Sequence, residues 1–297
     1  MKSKPTLIVA IPAWNEEKNI VKLIDSILLQ KRDEFVLKSI DIYSDGSSDS
    51  TVMLIKQNFR DLVKVFDFKK NLGKNKRVNQ IFQSSLCDIL IQIDADITLS
   101  QNTIFNNLVD SMVKEKADIV CAYHLPAPPK SIIGKLSYFG FKVWDRSRNS
   151  LGEKAIRYYC EGGMRAFSKR FTHVFRLPES GHVGEDSYSF YFAVKNGFKT
   201  VINKKACVFI DLPENYSDYV KQMKRFLLDP GMVERTFPIE ITSKYETMTM
   251  SIKLKSLLTE FFLSPLIGLG YIILQASTKL QFLFYKPGSN WKPIDRK

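Results

Sequence analysis

The sequence predicts an α/β fold built on a doubly wound, mainly parallel sheet. Apolar runs of five or six residues recur with amphipathic helical stretches between them, the alternation that builds a parallel sheet with helices on both faces. One run, Ile89-Leu-Ile-Gln-Ile93, reads as a strand buried on both faces, and it leads directly into Asp94-Ala-Asp96. Open sheets of this class place their ligands at the carboxyl ends of the strands, so two acids at one strand end mark the functional edge.

From the N-terminus, residues 6–11 form the first strand, and Asn15 caps a helix whose apolar face is Ile20, Leu23, Ile24, Ile27 and Leu28. A strand at 39–43 breaks at Ser44-Asp-Gly-Ser-Ser-Asp-Ser-Thr51, a turn cluster that caps a second helix running to about Phe59. A strand at 63–68, a basic loop, a helix at 75–86 and the strand at 89–93 complete three β-α units. A helix at 102–115 and a strand at 118–123 add one more. After Pro126-Ala-Pro-Pro129 the pattern shifts to longer helices with short strands at 156–160, 164–167 and 206–210, an α+β half laid over the sheet's ligand edge. The aromatic stretch from Tyr138 to Trp144 reads as a packed helix. The chain thus divides at 1–125, 126–250 and 251–297.

The last of these segments has its own character. No charged residue stands between Glu260 and Lys279, and the run continues as Leu-Gln-Phe-Leu-Phe-Tyr285. Eighteen such residues reach only the lower limit for a spanning helix, and Pro265, Gly268 and Gly270 interrupt them. Lys279, Lys286, Lys292, Arg296 and Lys297 follow, so a single span would export a basic tail against the positive-inside bias. Three readings stand: an interfacial or re-entrant helix, a true span, and a buried core helix.

With 44% hydrophobic and 25% charged residues the composition is that of a globular protein. The formal net charge of +13 calls for an anionic partner such as phosphates or an acidic membrane surface. No RNA- or DNA-binding motif is present, so nucleic acid is not an expected partner. Cys87, Cys121, Cys160 and Cys207 show no metal-ligand spacing, which predicts buried free thiols in a reducing compartment, with neither zinc nor disulfides. Met-Lys-Ser-Lys-Pro leads straight into the first strand with no signal-peptide core, so the catalytic portion is expected in the cytoplasm.

Asp94 and Asp96 are unfavourable neighbours without a counter-charge, and a divalent cation held jointly by carboxylates and phosphate oxygens is the usual remedy. Asp45 ends an earlier strand in the same manner and can accept hydrogen bonds from a base or a ribose. Lys74, entering a helix within Asn71-Leu-Gly-Lys-Asn-Lys-Arg-Val-Asn79, would meet phosphate with its charge and with the helix dipole. The loop is not a Walker A sequence, and no Gly-x-Gly-x-x-Gly occurs. Asp186, after Glu185 at a predicted helix start, is the best-placed base; the three histidines read as ordinary structural residues, with metal binding the lesser alternative for His182, four residues before Asp186.

In order, Ile11-Pro-Ala-Trp-Asn-Glu-Glu17, Ser44-Asp-Gly-Ser-Ser-Asp-Ser-Thr51, Asn71-Leu-Gly-Lys74 with Asn79, and Asp94-Ala-Asp96 resemble the glycosyltransferase family 2 enzymes of the GT-A fold. Gly162-Gly-Met-Arg-Ala-Phe167, Gly184-Glu-Asp186 and Gln222-Met-Lys-Arg225-Phe226 extend the resemblance, which covers about residues 6–226. It implies an inverting transferase with a nucleotide-sugar half at 1–125 and an acceptor and catalytic-base half at 126–250, to which the uncharged run adds a membrane-associated segment at 251–297. It also implies that Pro12, Asn15 and Glu16 line the nucleotide site, that Asp45 binds the base, and that Asp94 and Asp96 hold Mn or Mg against the diphosphate. Asp186 matches the family's general base, with Glu185 beside it in the substrate site. Gln222 and Arg225 match the Gln-x-x-Arg-Trp motif of membrane-bound synthases, with Phe226 in place of the tryptophan. The implied partners are a nucleotide-diphosphate sugar, a lipid-linked or glycan acceptor and an anionic membrane surface, at the cytoplasmic face. Two other functions compete: a sugar-phosphate nucleotidyltransferase, and a non-enzymatic basic adaptor for membranes or nucleic acid. The glycine-rich loop of the first and the binding motifs of the second are missing.

Overall fold

A computed structural model describes residues 3–59, 61–178, 184–226 and 236–283, with the side chains of 225, 226, 282 and 283 excluded. Its contacts form two compact units, 1–125 with 156–210, and 126–155 with 211–297.

The first unit is built on an eight-stranded sheet of order β3-β2-β1-β4-β7-β6-β8-β5. The strands are β1 (Thr6–Ala13), β2 (Val36–Asp45), β3 (Val63–Phe68), β4 (Ile89–Ile93), β5 (Thr98–Leu99), β6 (Ile119–Pro126), β7 (Met164–Ser168) and β8 (Thr200–Ile210). The half formed by β3, β2, β1 and β4 is parallel, as the strand–helix alternation predicts. β7 then enters antiparallel between β4 and β6, pairing Gln92 with Arg165 and Cys121 with Arg165. The short β5 joins β8 antiparallel at the end of the sheet.

Helices cover both faces because successive strand residues point to opposite sides. On one face, α1 (Ile20–Leu28), α2 (Thr51–Asn58) and α4 (Ile104–Glu115) bury Ile24, Ile55 and Leu108 against Val9, Ile42 and Ile91. On the other, α3 (Lys74–Ser84) and α7 (Lys169–Val174) build an aromatic core. Phe82 meets Phe167 edge-on at 5.0 Å, and Phe171 stacks on Phe175 at 4.8 Å. α8 (Glu185–Lys195) follows residue 184 on the same side of β7 as Arg165. Pro12 is tolerated inside β1 because β4 pairs with β1 only as far as Ala10, leaving no ladder bond for its missing N–H.

The second unit is helical: α5 (Ile132–Asn149), α9 (Tyr216–Phe226), α10 (Ile239–Tyr245), α11 (Met250–Leu263) and α12 (Pro265–Leu283). Tyr138 to Trp144 lies within α5, as its composition predicts. Glu260 of α11 is 4% exposed and pairs with Lys142 and Arg146 of α5. Pro265 starts a new helix and does not kink one, because Pro suits a first helical position. No helix among the described residues is long and apolar enough to cross a membrane.

Three expectations need correction. Asn15 does not cap α1, which starts after Asn19; its φ is 55° and its side chain instead accepts from the Ser48 N–H at 2.8 Å. Residues 156–159 (α6) form a helical turn, following a 3-10 turn at 152–155, where a strand at 156–160 is predicted; no strand among the described residues pairs with them. Cys121 and Cys160 are joined as a disulfide, with Cα atoms 5.3 Å apart, where free thiols are predicted. They are 39 residues apart in the chain, and only the return of residue 160 to β6 brings them together. Cys87 and Cys207 are free, Cys87 being buried.

Candidate active site

The functional edge of the first unit lies where β1, β2 and β4 end. Beyond β1, the loop carrying Asn15 and Glu16 is laced to the loop after β2. Asn15 N–H donates to Ser47 Oγ at 3.1 Å and Glu16 N–H to Thr51 Oγ1 at 2.8 Å. Pro12 is half-buried at the root of this loop. Two predicted turns therefore brace each other at one strand end.

Asp45 is 4% exposed and fully engaged. Its oxygens accept from the backbone N–H groups of Leu72 and Gly73 at 2.9 and 2.8 Å, and from Arg77 Nε at 2.7 Å. The Arg77 guanidinium lies 3.7 Å above the Phe68 ring, so the buried ion pair sits against an aromatic wall. In this arrangement Asp45 supports the 70–73 loop, and the loop in turn delivers Lys74 at the first position of α3. Gly46 makes this approach feasible: with φ 69°, a Cβ there would lie 2.8 Å from Asn71 N and 2.9 Å from the carbonyl carbon of Lys70. Asn79, the last residue of the motif, bonds the backbone of Leu177 in both directions at 2.8 and 2.9 Å, and so ties α3 to the segment after α7.

Lys74 is the centre of the charge arrangement. Its Nζ lies 2.6 Å from Asp94 and 3.1 Å from Glu185. Glu185 also accepts from Gln92 Nε2 at 2.7 Å and from the Arg165 guanidinium, both from the underlying strands. The order Arg165–Glu185–Lys74–Asp94 alternates cation and anion, which is how a low-dielectric site accommodates four charges. Burial opposes the Lys74 charge, but Asp94 and Glu185 outweigh it and raise its pKa, so it remains an ammonium. Burial dominates at Asp94 and, with Glu185 and Asp96 adding repulsion, pushes its pKa up to about 6 in spite of Lys74. Glu185 is held below the ordinary carboxylate value, burial being outweighed by Lys74 and Arg165.

Asp186, the second residue of α8, takes the Ser187 N–H at 2.7 Å on Oδ1. A Cβ placed on Gly162 would lie 3.9 Å from Lys74 Nζ and 4.0 Å from Asp186 Cβ. Gly162 therefore borders a space shared by the ammonium and the predicted base. Asp94 N–H donates to the Gly163 carbonyl at 2.8 Å, which fixes the acid-bearing turn to the start of β7.

Asp94 and Asp96 are both half-buried. No cluster of three or more His, Cys, Asp or Glu side chains suited to a metal occurs among the described residues. Two carboxylates without a third fit a cation completed by phosphate oxygens, the arrangement usual for Mg²⁺ at diphosphates, and not an all-protein cage.

The structure thus brings together Lys74, Asp94, Glu185 and Asp186, and places Asp45 at the end of β2 and Asn15 and Glu16 on the adjoining loop. Gln222 lies on α9 in the second unit, half-buried; Arg225 and Phe226 share that helix, but their side chains are outside the described residues, as is His182. Sequence reasoning missed Arg165, Gln92 and Arg77. A fully buried arginine leaves no periodic signal, but a glutamine inside an otherwise apolar strand, as at Gln92, does mark a polar partner beneath the site.

Residues 8–174 match the family model described as glycosyl transferase family 2. The mannosyltransferase PcManGT from Pyrobaculum calidifontis, in complex with GDP-Man and Mn²⁺, superposes with TM-score 0.61 at 16% identity over 96% of this chain and 82% of that one. Glucosyl-3-phosphoglycerate synthase from Mycobacterium tuberculosis, with Mn²⁺, UDP and glucosyl-3-phosphoglycerate, gives TM-score 0.53 at 18% identity, covering 79% and 81%. S. aureus TarS 1-349 with UDP gives 0.54 at 16%, covering 87% and 72%. At these identities the likeness is one of fold. Comparison with curated proteins gives no significant match.

Proposed function

This chain belongs to glycosyltransferase family 2 and is a GT-A-fold glycosyltransferase, and we propose that it transfers a sugar from a nucleotide-diphosphate sugar to an acceptor hydroxyl with inversion at the anomeric carbon. Family membership displaces the nucleotidyltransferase and adaptor readings. The observation that carries the reading is the space beside Gly162, bounded by the Lys74 ammonium and by Asp186.

In the proposed reaction Asp186 accepts the proton of the acceptor hydroxyl as its oxygen bonds to the anomeric carbon. The bond from that carbon to the diphosphate oxygen breaks, and the nucleoside diphosphate leaves with the electron pair. Lys74 stabilises the charge that grows on the diphosphate, in a position set by Glu185 and Asp94. Mn²⁺ or Mg²⁺, held by Asp94 and Asp96, would supply further neutralisation of the leaving group. The reading draws support from two fold neighbours that hold Mn²⁺ with GDP-Man or UDP. Glu185 and Asp94 are paired with Lys74, so the reading assigns Asp186 as the one base and the reaction as a single displacement, hence inversion.

We further propose that the acceptor is lipid-linked or a glycan presented at the cytoplasmic membrane face. A panel of nucleotide sugars with Mn²⁺ or Mg²⁺, scored for slow donor hydrolysis, tests the core reading without an acceptor. Hydrolysis of at least one donor, lost in excess EDTA, is expected. Asp96→Ala should abolish metal-dependent nucleoside-diphosphate binding in calorimetry and leave the circular dichroism spectrum intact. Unchanged affinity in that variant, or full activity in EDTA, removes the metal from the mechanism.

A further inference from the structure

In the second unit, α11 and α12 are each two-sided. Their inner sides close on each other and on α5: a Cβ on Gly268 would lie 2.6 Å from the Phe261 ring of α11 and 3.2 Å from Phe139 of α5, and one on Gly270 would lie 2.9 Å from Leu136 of α5. Leu274 is buried with Leu136 and Tyr219. The opposite sides are covered by nothing among the described residues. Phe262 is 77% exposed, Leu263 65% and Leu266 86%, at the junction of the two helices, and Leu254, Leu269 and Ile273 continue the surface in both directions. An open groove of about 590 Å³ runs along α11 beside Leu254, Leu258, Phe262 and Leu263. Single exposed apolar residues are normal on a protein, but a contiguous run of this kind marks a contact surface.

Charge identifies the partner. Glu260 is the one acid in residues 250–283, and it is buried against Lys142 and Arg146. The charged side chains exposed on these helices are Lys253, Lys255 and Lys279. A second copy of this face would bring three more lysines and no exposed acid to pair with them, whereas anionic headgroups would pair with them. The helices cannot be lipid-covered all round, because one side of each is packed on α5, and the break at Ser264 leaves helices of 14 and 19 residues.

We propose that the exposed α11–α12 face docks on an anionic lipid surface, with Phe262, Leu263 and Leu266 entering the acyl region and Lys253, Lys255 and Lys279 at headgroup level. The geometry is that of an interfacial helix pair, in which apolar burial and attraction to anionic lipid act together. The proposal deepens the reading of a membrane-borne acceptor and rests on it for its purpose.

Flotation of the full chain with vesicles tests it, comparing phosphatidylglycerol mixed into phosphatidylcholine with phosphatidylcholine alone. The chain should float with the anionic vesicles, less so as salt rises. Phe262→Glu with Leu266→Glu should reduce vesicle affinity at least ~10-fold, with the circular dichroism spectrum and donor hydrolysis retained. Lys253→Glu with Lys255→Glu should abolish the preference for anionic lipid. Absence of flotation by the parent chain, or undiminished flotation of the Phe262/Leu266 variant, overturns the proposal. So does a dimer in solution that Leu266→Glu dissociates, since the face would then be a contact between copies. Loss of donor hydrolysis in the parent chain would instead count against the enzymatic reading and leave the flotation result standing.

Discussion

Asp186 and Glu185 are neighbours in sequence with opposite situations. Glu185 is 7% exposed and its oxygens are held by Lys74, Arg165 and Gln92, so it is a fixed support. Asp186 is half-buried beside the space at Gly162, with one bond described for its carboxylate. Asp186→Asn preserves size and the bond from Ser187 but cannot take a proton. Turnover should fall at least ~10²-fold with donor affinity nearly unchanged. If donor affinity falls and turnover at saturation holds, Asp186 binds substrate and the base lies elsewhere. The two acids stand out as a pair in the sequence, but not which of them is buried. That depends on Gln92 and Arg165, cross-strand partners separated by 73 positions that converge on one carboxylate.

Among elements, the link from β2 to α3 is the most exacting. Asp45 ends the strand, Gly46 turns in the left-handed region, and the 70–73 loop closes over it, so that Lys74 starts its helix facing the acids. Gly46→Ala would force a Cβ into the backbone at Lys70 and Asn71 at a φ that alanine disfavours. A drop in thermal stability of about 1–3 kcal/mol, together with weaker nucleoside-diphosphate binding, is expected. A variant that melts and binds like the parent would show that the loop does not depend on this turn. A second element-level prediction concerns α5 and α11. Burial alone would raise the Glu260 pKa, but its bonds to Arg146 and Lys142 win and lower it. A lowered carboxylate pKa contributes stability above its unfolded value and loses it as pH falls through the folded one. Glu260→Gln should therefore cost about 1–3 kcal/mol at neutral pH. That difference should shrink below pH ~4, and chemical denaturation at the two pH values checks it. An equal loss at both would assign the effect to packing.

At the scale of the whole molecule, the chain departs from its linear order. Residues 156–210 return to the first unit after the excursion through 126–155, and Cys121 and Cys160 meet where they re-enter. Closing a loop of this length with a disulfide is worth about 2–4 kcal/mol, most of it through the unfolded chain. A dithiol should accordingly lower the melting temperature of the parent and leave Cys121→Ser/Cys160→Ser unaffected; equal melting of the parent with and without dithiol would argue that the bond contributes nothing. The sequence by itself determined the α/β class, the parallel half of the sheet and the acids at its edge. Hydrophobic periodicity and turn chemistry are local, and a buried strand that ends in carboxylates is visible within eight residues. Only the tertiary structure decided the antiparallel entry of β7, the pairing of Cys121 with Cys160, the burial of Arg165 under Glu185 and the division of α11 and α12 into a packed and an exposed side. Each of these is a choice of partner between distant segments, set by packing and charge pairing in three dimensions, and no spacing along the chain encodes it.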